Sequence, residues 1–359
     1  MHHFTSTAFA AVLATGLAAQ GAIVSPADRV NLEGSSFTHF PLGRFNARVQ
    51  QLHADVPGGT VITGHAYRRD AEQVHGHVDA FSAEIEVTLS MSPNTPAHAS
   101  ATFANNAGPS PVVTLPRTRL NFPATDRPAL DPSPTFDLLV PYAVPFVMPP
   151  GGGTLCIDSV LFTNTSPAGI DRNLSIYLDA HQLYSDGRAE QPGFRMLQGC
   201  AAPGATATAF GTTTFWRLAT STQIDVGIRN GVPDPGTGST RPFVALGINQ
   251  RNLPWPSRPS CLLLTSTETW FPLPGSNDTG GSYDGSLAGL PLLPPGYRLY
   301  LQTGSIDLGS GGLAFGDVEA MITPPTGPVP VTAARIVSQS DRTAPTGAVS
   351  LAVPVTRFL

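Results

Sequence analysis

The chain has 359 residues, 41% hydrophobic and only 13% charged, with 36 glycines and 36 prolines; its basic residues are all arginine, and the net charge is -5. That length is enough for about two domains with real cores, and the glycine and proline content favours turns over long helices. Scattered arginines on a net acidic chain argue against nucleic-acid binding and against attachment to an anionic membrane surface.

The first stretch, "MHHFTSTAFAAVLATGLAAQGAIVSP", carries a short run of small apolar residues from Ala8 to Ala19 that ends in Leu-Ala-Ala. This pattern reads as a secretory signal spanning residues 1–19, although His2 and His3 stand where Lys or Arg is usual. The run is too short to cross a bilayer, and no other stretch is apolar for long enough, so an exported, soluble mature chain is expected. Next comes "RFNARVQQL". Phe45, Val49 and Leu52 would share a helical face, whereas Phe45, Ala47 and Val49 would share a strand face, so the pattern fits either element.

"AEQVHGHVDAF", Ala71 to Phe81, sets His75 and His77 two positions apart. On a strand both would point to one face, and His65 could add a third nitrogen from the preceding strand. A pair of this kind without further Cys or His nearby falls short of a zinc site, and the expectation is a polar strand face with Gly76 at a turn or bulge, with no metal bound. In "SAEIEVTLSMS", Ile85, Val87, Leu89 and Met91 alternate with Glu84, Glu86, Thr88 and Ser90, the period of a half-buried strand. Glu84 and Glu86 are also a carboxylate pair of the kind a glycosidase uses, but two acids on one amphipathic face read first as solvated surface.

The same alternation marks "LSIYLDA" from Leu174, "TQIDVGI" from Thr222 and "GYRLYLQTG" from Gly296, separated by glycine- and proline-rich turns. Strands in this style, with no strand-helix alternation, predict an all-β chain: two antiparallel, jelly-roll-like β-sandwich domains in tandem. A break in the patterning near residues 190–203 places the N-terminal domain at 20–195 and the C-terminal one at 196–323, followed by a proline-rich tail, 324–359, whose two apolar runs could add edge strands to either sandwich. Sequential rather than interleaved domains are expected, because each half has enough alternating segments to close by itself.

Within the second half, Trp255 lies between two prolines in "NLPWPSRPS", where an indole on a stiff loop could stack on a sugar or anchor a protein, or simply cap the sandwich end. Trp216 and Trp270 sit beside strand-like runs and read as core. Asn277, Asp278 and Asp284 offer calcium-type oxygens at a spacing that does not match an EF-hand loop, and "GGSYDG" approaches the nucleophile-elbow pattern but has Asp284 where the second glycine belongs. Of the three cysteines, Cys200 opens the second domain and Cys261 begins "CLLLT", so a Cys200–Cys261 bridge is expected in an exported chain, leaving Cys156 as a buried free thiol in "TLCIDSVLF"; a Cys156–Cys200 staple is the alternative.

The segments "NLEGSSFTHFPLGRFNARVQQLHAD", "GHAYRRD", "TFANNAGP" and "FDLLVPYAVPFV" resemble a group of uncharacterised secreted proteins of planctomycete bacteria, over Asn31 to about Ala180. "GCAAPG", "SCLLLTSTETWFPLP" and "LPPGYRLYLQTGSIDLGSGGLAFGDVEAMI" are similar to a C-terminal β-sandwich module common in the same group. The resemblance implies an extracellular all-β protein and carries over no functional residues. Chains of the group often stop where the tail after Thr323 begins. With no catalytic motif, the expectation is a secreted, non-enzymatic structural or interaction protein that needs no cofactor, its partner an extracellular glycan or surface protein. A carbohydrate-binding protein using Trp255 is the first alternative and a glycan-active hydrolase the second.

Overall fold

The computed structural model describes residues 23–70, 76–127, 135–169, 173–324 and 327–359. The expected signal segment 1–19 and His75 lie outside the described residues.

The chain is all-β, and each pairing between its strands is antiparallel. The stretch that fits helix or strand is a strand, Ala47–His53, central in a six-stranded sheet ordered Ala348–Ser350, Ala333–Ser338, Ala47–His53, Thr154–Thr165, Phe81–Ser92, Val112–Phe122. Strand geometry wins because both faces have something to bury against. Ala47 and Val49 join the main core, while Leu52 packs with Cys156 and Ile336 under Phe103 of the short helix Phe103–Asn106. The alternation in Phe81–Ser92 holds from Glu84 to Leu89, with Ile85, Val87 and Leu89 fully buried and Glu84, Glu86 and Thr88 half-exposed, and breaks beyond it, where Ser90 is buried and Met91 only partly so. A four-stranded sheet ordered Ile23–Ser25, Thr356–Phe358, Val61–Tyr67, Leu138–Val147 supplies Ile62, Tyr67, Leu138, Val140 and Phe358 to the same core cluster. Inner faces of two antiparallel sheets thus share one apolar interior.

A second set of strands pairs only within itself. Its four-stranded sheet runs Ala189–Pro192, Phe210–Arg217, Thr222–Arg229, Tyr283–Leu290, and its five-stranded sheet Phe194–Leu197, Leu313–Ile322, Arg298–Asp307, Thr240–Gly247, Thr269–Pro272. Phe215, Ile224 and Ile228 of the first meet Val244, Leu299 and Leu301 of the second in a separate core. The hairpin Gln250–Trp255 with Arg258–Thr265 forms its own two-stranded ribbon, linked by the Cys200–Cys261 disulfide to the segment after Phe194–Leu197, where Cys200 N donates to the Phe315 carbonyl of the five-stranded sheet. Cys156 is a buried free thiol.

The order along the chain differs from a strictly sequential pair. Ala189–Pro192, ahead of the expected boundary at 195, and Phe194–Leu197, which straddles it, both pair with strands of the second set. The segment after 324 returns to the first set, and not only at its edges. Ala333–Ser338 sits between Ala47–His53 and Ala348–Ser350, and Thr356–Phe358 between Ile23–Ser25 and Val61–Tyr67. The second set is therefore an insertion into the first. Prolines at intervals disguise the tail's pattern in the sequence, yet Ala333, Ala334, Ile336, Val353 and Val355 are fully buried. At the junction Arg29, itself buried, donates from Nη1 to Gln191 Oε1 at 2.7 Å, tying the first set to the insertion.

Candidate functional site

Catalytic residue types do gather in the structure, but inside the first core. Residues Gln51 and His53 continue the inward face begun by Ala47 and Val49, and across the interior lie His65 and Tyr67 of Val61–Tyr67 and Tyr142 of Leu138–Val147. His65 Nδ1 meets the Tyr142 hydroxyl at 2.6 Å, and Gln51 Nε2 donates to the Tyr67 hydroxyl at 2.5 Å. The Nε2 atoms of His53 and His65 have no hydrogen-bond partner. Burial holds both imidazoles neutral, pushing each down to about 3, with His53 adding to the effect on His65.

One corner of this network contains Ser, His and Asp in contact. The Ser25 hydroxyl donates to Asp55 Oδ1 at 2.5 Å, and His53 Nδ1 lies 2.8 Å from Ser25 Oγ. A hydrolase needs the histidine between the other two, so that it can take the serine's proton while the carboxylate orients it. Here the serine is in the middle, its proton is committed to the carboxylate, and it is fully buried. The arrangement is structural. Sequence reading missed it, although the signal was present: Gln51 and His53 fall on the apolar phase of their strand.

A second buried cluster is ionic. Oxygens of Glu33, Asp70 and Asp179 all lie within 4.8 Å of one another, the grouping among the described residues that comes nearest to a metal-ligand set. Arginines already hold it together. Arg68 Nε pairs with Asp179 Oδ2 at 2.5 Å and its Nη2 donates to the Leu32 carbonyl, while Gly34 N donates to Asp179 Oδ1 at 2.8 Å. Burial pushes the Asp179 carboxyl up, against the opposing pull of the Arg68 guanidinium. A cation would have to displace Arg68 from a fully buried pair, so the cluster reads as a charge network that fixes the segments 29–33, 68–70 and 179.

The residues singled out in the sequence are dispersed. His65 is in the core, whereas His77 is on the surface, 3.6 Å from Asp79, so the two do not share a site. Glu84 is paired with Arg117 at 2.8 Å on the outer face of the six-stranded sheet, and Arg117 in turn stacks on Phe162. Glu86 shares that half-exposed face. Asp278 Oδ1 caps a turn by accepting from Gly280 N and Ser282 N, Asn277 is buried and donates to the Val232 carbonyl, and Asp284 pairs with Arg229. These three do not converge on a calcium position. "GGSYDG" enters the strand Tyr283–Leu290 through this turn, without a following helix.

The tryptophans are the more informative group. Trp255 lies in a strand rather than a loop, half-buried, its indole edge-on to Phe315 at 5.3 Å within the cluster around the disulfide. Trp270, which reads as core in the sequence, is 38% exposed, with its ring 4.9 Å from Phe243 and 6.3 Å from Phe315. Two partly exposed indoles therefore rest on one buried phenylalanine. Trp216 is half-buried on the outer face of the four-stranded sheet, donating to Asp225 at 2.6 Å and overlaid by Arg188. Beside the Trp255/Trp270 pair, the hairpin strand Gln250–Trp255 is exposed along almost its whole length, with Leu253 47% and nearby Ile248 54% accessible.

Set against protein-family models, curated proteins and solved structures, the chain matches none. Its class is that of all-β proteins with a disulfide-stapled inserted unit. Among the described residues no helix is long and apolar enough to cross a membrane.

Proposed function

We propose that this is an extracellular, non-catalytic interaction protein whose contact surface is the hairpin of the inserted unit. One observation carries the reading. A two-stranded ribbon is marginally stable alone, yet this one is anchored by the Cys200–Cys261 bridge and by Arg258 Nη1 donating to the Leu313 carbonyl at 2.6 Å, and it presents Leu253 to solvent together with Ile248 just before it and Trp270 on the edge strand of the five-stranded sheet. Anchored, exposed apolar and aromatic groups are what a recognition surface is made of. The disulfide is compatible with export, as is the N-terminal segment read as a signal. Binding of the purified protein to cell-envelope material should fall at least tenfold in a Leu253→Asp/Trp270→Ala variant of unchanged thermal stability. Unchanged binding would remove the hairpin from the reading.

A second reading, carbohydrate binding, is favoured by the Trp255 and Trp270 pair, since partly exposed indoles can stack on sugar rings. Under that reading a soluble polysaccharide competes for the envelope material and Trp255→Ala weakens the interaction. Under the first reading no sugar competes. The glycosidase alternative has little support, because Glu84 is engaged by Arg117 on an open sheet face.

A further inference from the structure

The two sheets of the inserted unit part at one end around a cleft of about 310 Å³. Its walls are Ile224, Leu246, Phe271, Leu290, Leu293 and Leu299, and no charged side chain lines it. Its few polar groups are turned to other tasks. Thr323 Oγ1 donates to the Pro294 carbonyl at 2.5 Å and accepts from Tyr297 N at 2.9 Å, and Tyr297 is 57% exposed at the mouth. Water inside the cleft finds few partners, and an apolar guest that displaces it gains the free energy of burying its own surface.

The roof is a short loop, "PLLPP", from Pro291 to Pro295. Gly289 and Gly296 flank it with φ of +71° and +76°, a conformation glycine adopts without strain, and neither position is crowded. Thr323 clasps the Gly296 end, since Gly296 N donates to its carbonyl at 2.9 Å. Leu293 points into the cleft while Leu292 is 41% exposed. The loop is thus a roof with glycine corners over an uncharged slot.

We propose that this cleft binds a single unbranched hydrocarbon chain, with its head group left in water at the Tyr297 mouth. At ~30 Å³ for each water-sized group, 310 Å³ accepts roughly ten carbons. A chain fits better than a fused ring system, because the walls are mainly aliphatic side chains from two facing sheets, which pack about 10 Å apart. The cleft shares Ile248 with the surface proposed above, but its test reads titration by small hydrocarbon ligands and not binding to envelope material, so the failure of one proposal leaves the other standing.

Calorimetric titration with straight-chain carboxylates and alcohols, kept below their micelle concentrations, tests this on the whole protein. Affinity should rise about fourfold per added methylene up to roughly ten to twelve carbons and then level off, with acid and alcohol of equal length behaving alike. Leu246→Trp, which fills the slot, should weaken the best ligand at least tenfold, and Leu292→Ala, outside it, should not. Absence of saturable binding at any length would overturn the proposal. So would affinity that keeps climbing past fourteen carbons, the mark of surface adsorption, or a site that takes naphthalene but no chain. Should Leu246→Trp fail to fold, Thr269→Phe at the rim serves instead, and the chain-length series on the wild-type protein decides without either variant.

Discussion

Mild acid should destabilise this protein strongly, and three buried histidines set the size of the effect. His53 and His65 are fully buried and His181 is 2% exposed. Burial pushes each down to about 3, with Arg29 adding to the effect on His181, whereas an unfolded histidine titrates near ~6.5. The folded state therefore binds fewer protons than the unfolded one between these values, and stability falls as pH drops below about 6.5 and continues to fall towards 3. At pH 5 each histidine costs about 2 kcal/mol relative to pH 7, about 6 kcal/mol for the three. That rivals the whole stability of a typical domain, ~5–15 kcal/mol. Asp55 and Asp317, whose carboxyls burial pushes up, work the other way, since the folded state takes up their protons more readily. Their contribution matters only as pH nears the carboxylate range. Urea unfolding at pH 7, 6 and 5, followed by tryptophan fluorescence, should show the midpoint falling steeply with an unchanged slope. His53→Gln should remove about a third of the pH dependence. A change of less than about 1 kcal/mol between pH 7 and pH 5 would mean that these imidazoles are hydrated or partnered in solution, and the reasoning would fail.

Four further outcomes are expected. Replacing both Cys200 and Cys261 by Ala opens a loop of 61 residues and should cost about 4 kcal/mol in the chain-entropy account, visible as a lower melting temperature of the inserted unit. Phe103→Ala, which uncovers Leu52, Cys156 and Ile336, should cost ~3–5 kcal/mol in chemical denaturation and make the Cys156 thiol reactive towards a thiol reagent in the native protein. Deleting residues 352–359 removes Thr356–Phe358 from the interior of a sheet, so the first strand set should lose its cooperative transition in calorimetry while an independently folded insertion keeps its own. Trypsin should cut early at the exposed Arg188, yet the two fragments should co-elute in size exclusion until denaturant is added, because strands after 333 are interior to the first set; fragments that separate under native conditions would refute the interleaved order.

What the sequence disclosed was local. Alternation in "SAEIEVTLSMS" identified a strand and its buried face because side chains of a strand alternate whatever lies around them. The Cys200–Cys261 bridge followed from two cysteines in one half. What stayed hidden was non-local. No local pattern says that "VTAARIVS" pairs with Ala47–His53 nearly three hundred residues earlier, since its partner is chosen by the core and not by the strand. His53 and His65 belong to different strands and become one network only when two sheets close on them. Trp270 was misread for a related reason: on an edge strand of its sheet the face away from the core is only half covered, so neighbouring apolar residues in sequence do not guarantee burial.

The absence of lysine acquires a physical meaning in this fold. Its guanidiniums serve as planar, multi-donor connectors in places where a compact ammonium could not. Arg29 bonds at once to Asp28, the Glu33 carbonyl and Gln191. Arg68 bonds to Asp179 and to two backbone carbonyls. Arg48 stacks on Phe103 while pairing with Asp158, and Arg188 covers both Tyr184 and Trp216. In a chain with so few charges, each buried cation must satisfy several acceptors to offset its desolvation. The connectors concentrate where the first strand set meets its own returning segment and the insertion, with Arg335 donating to Thr38 and Arg217 to Gly327. Directional bonds from arginine fasten those junctions, while the apolar cleft of the insertion is lined by no charged side chain.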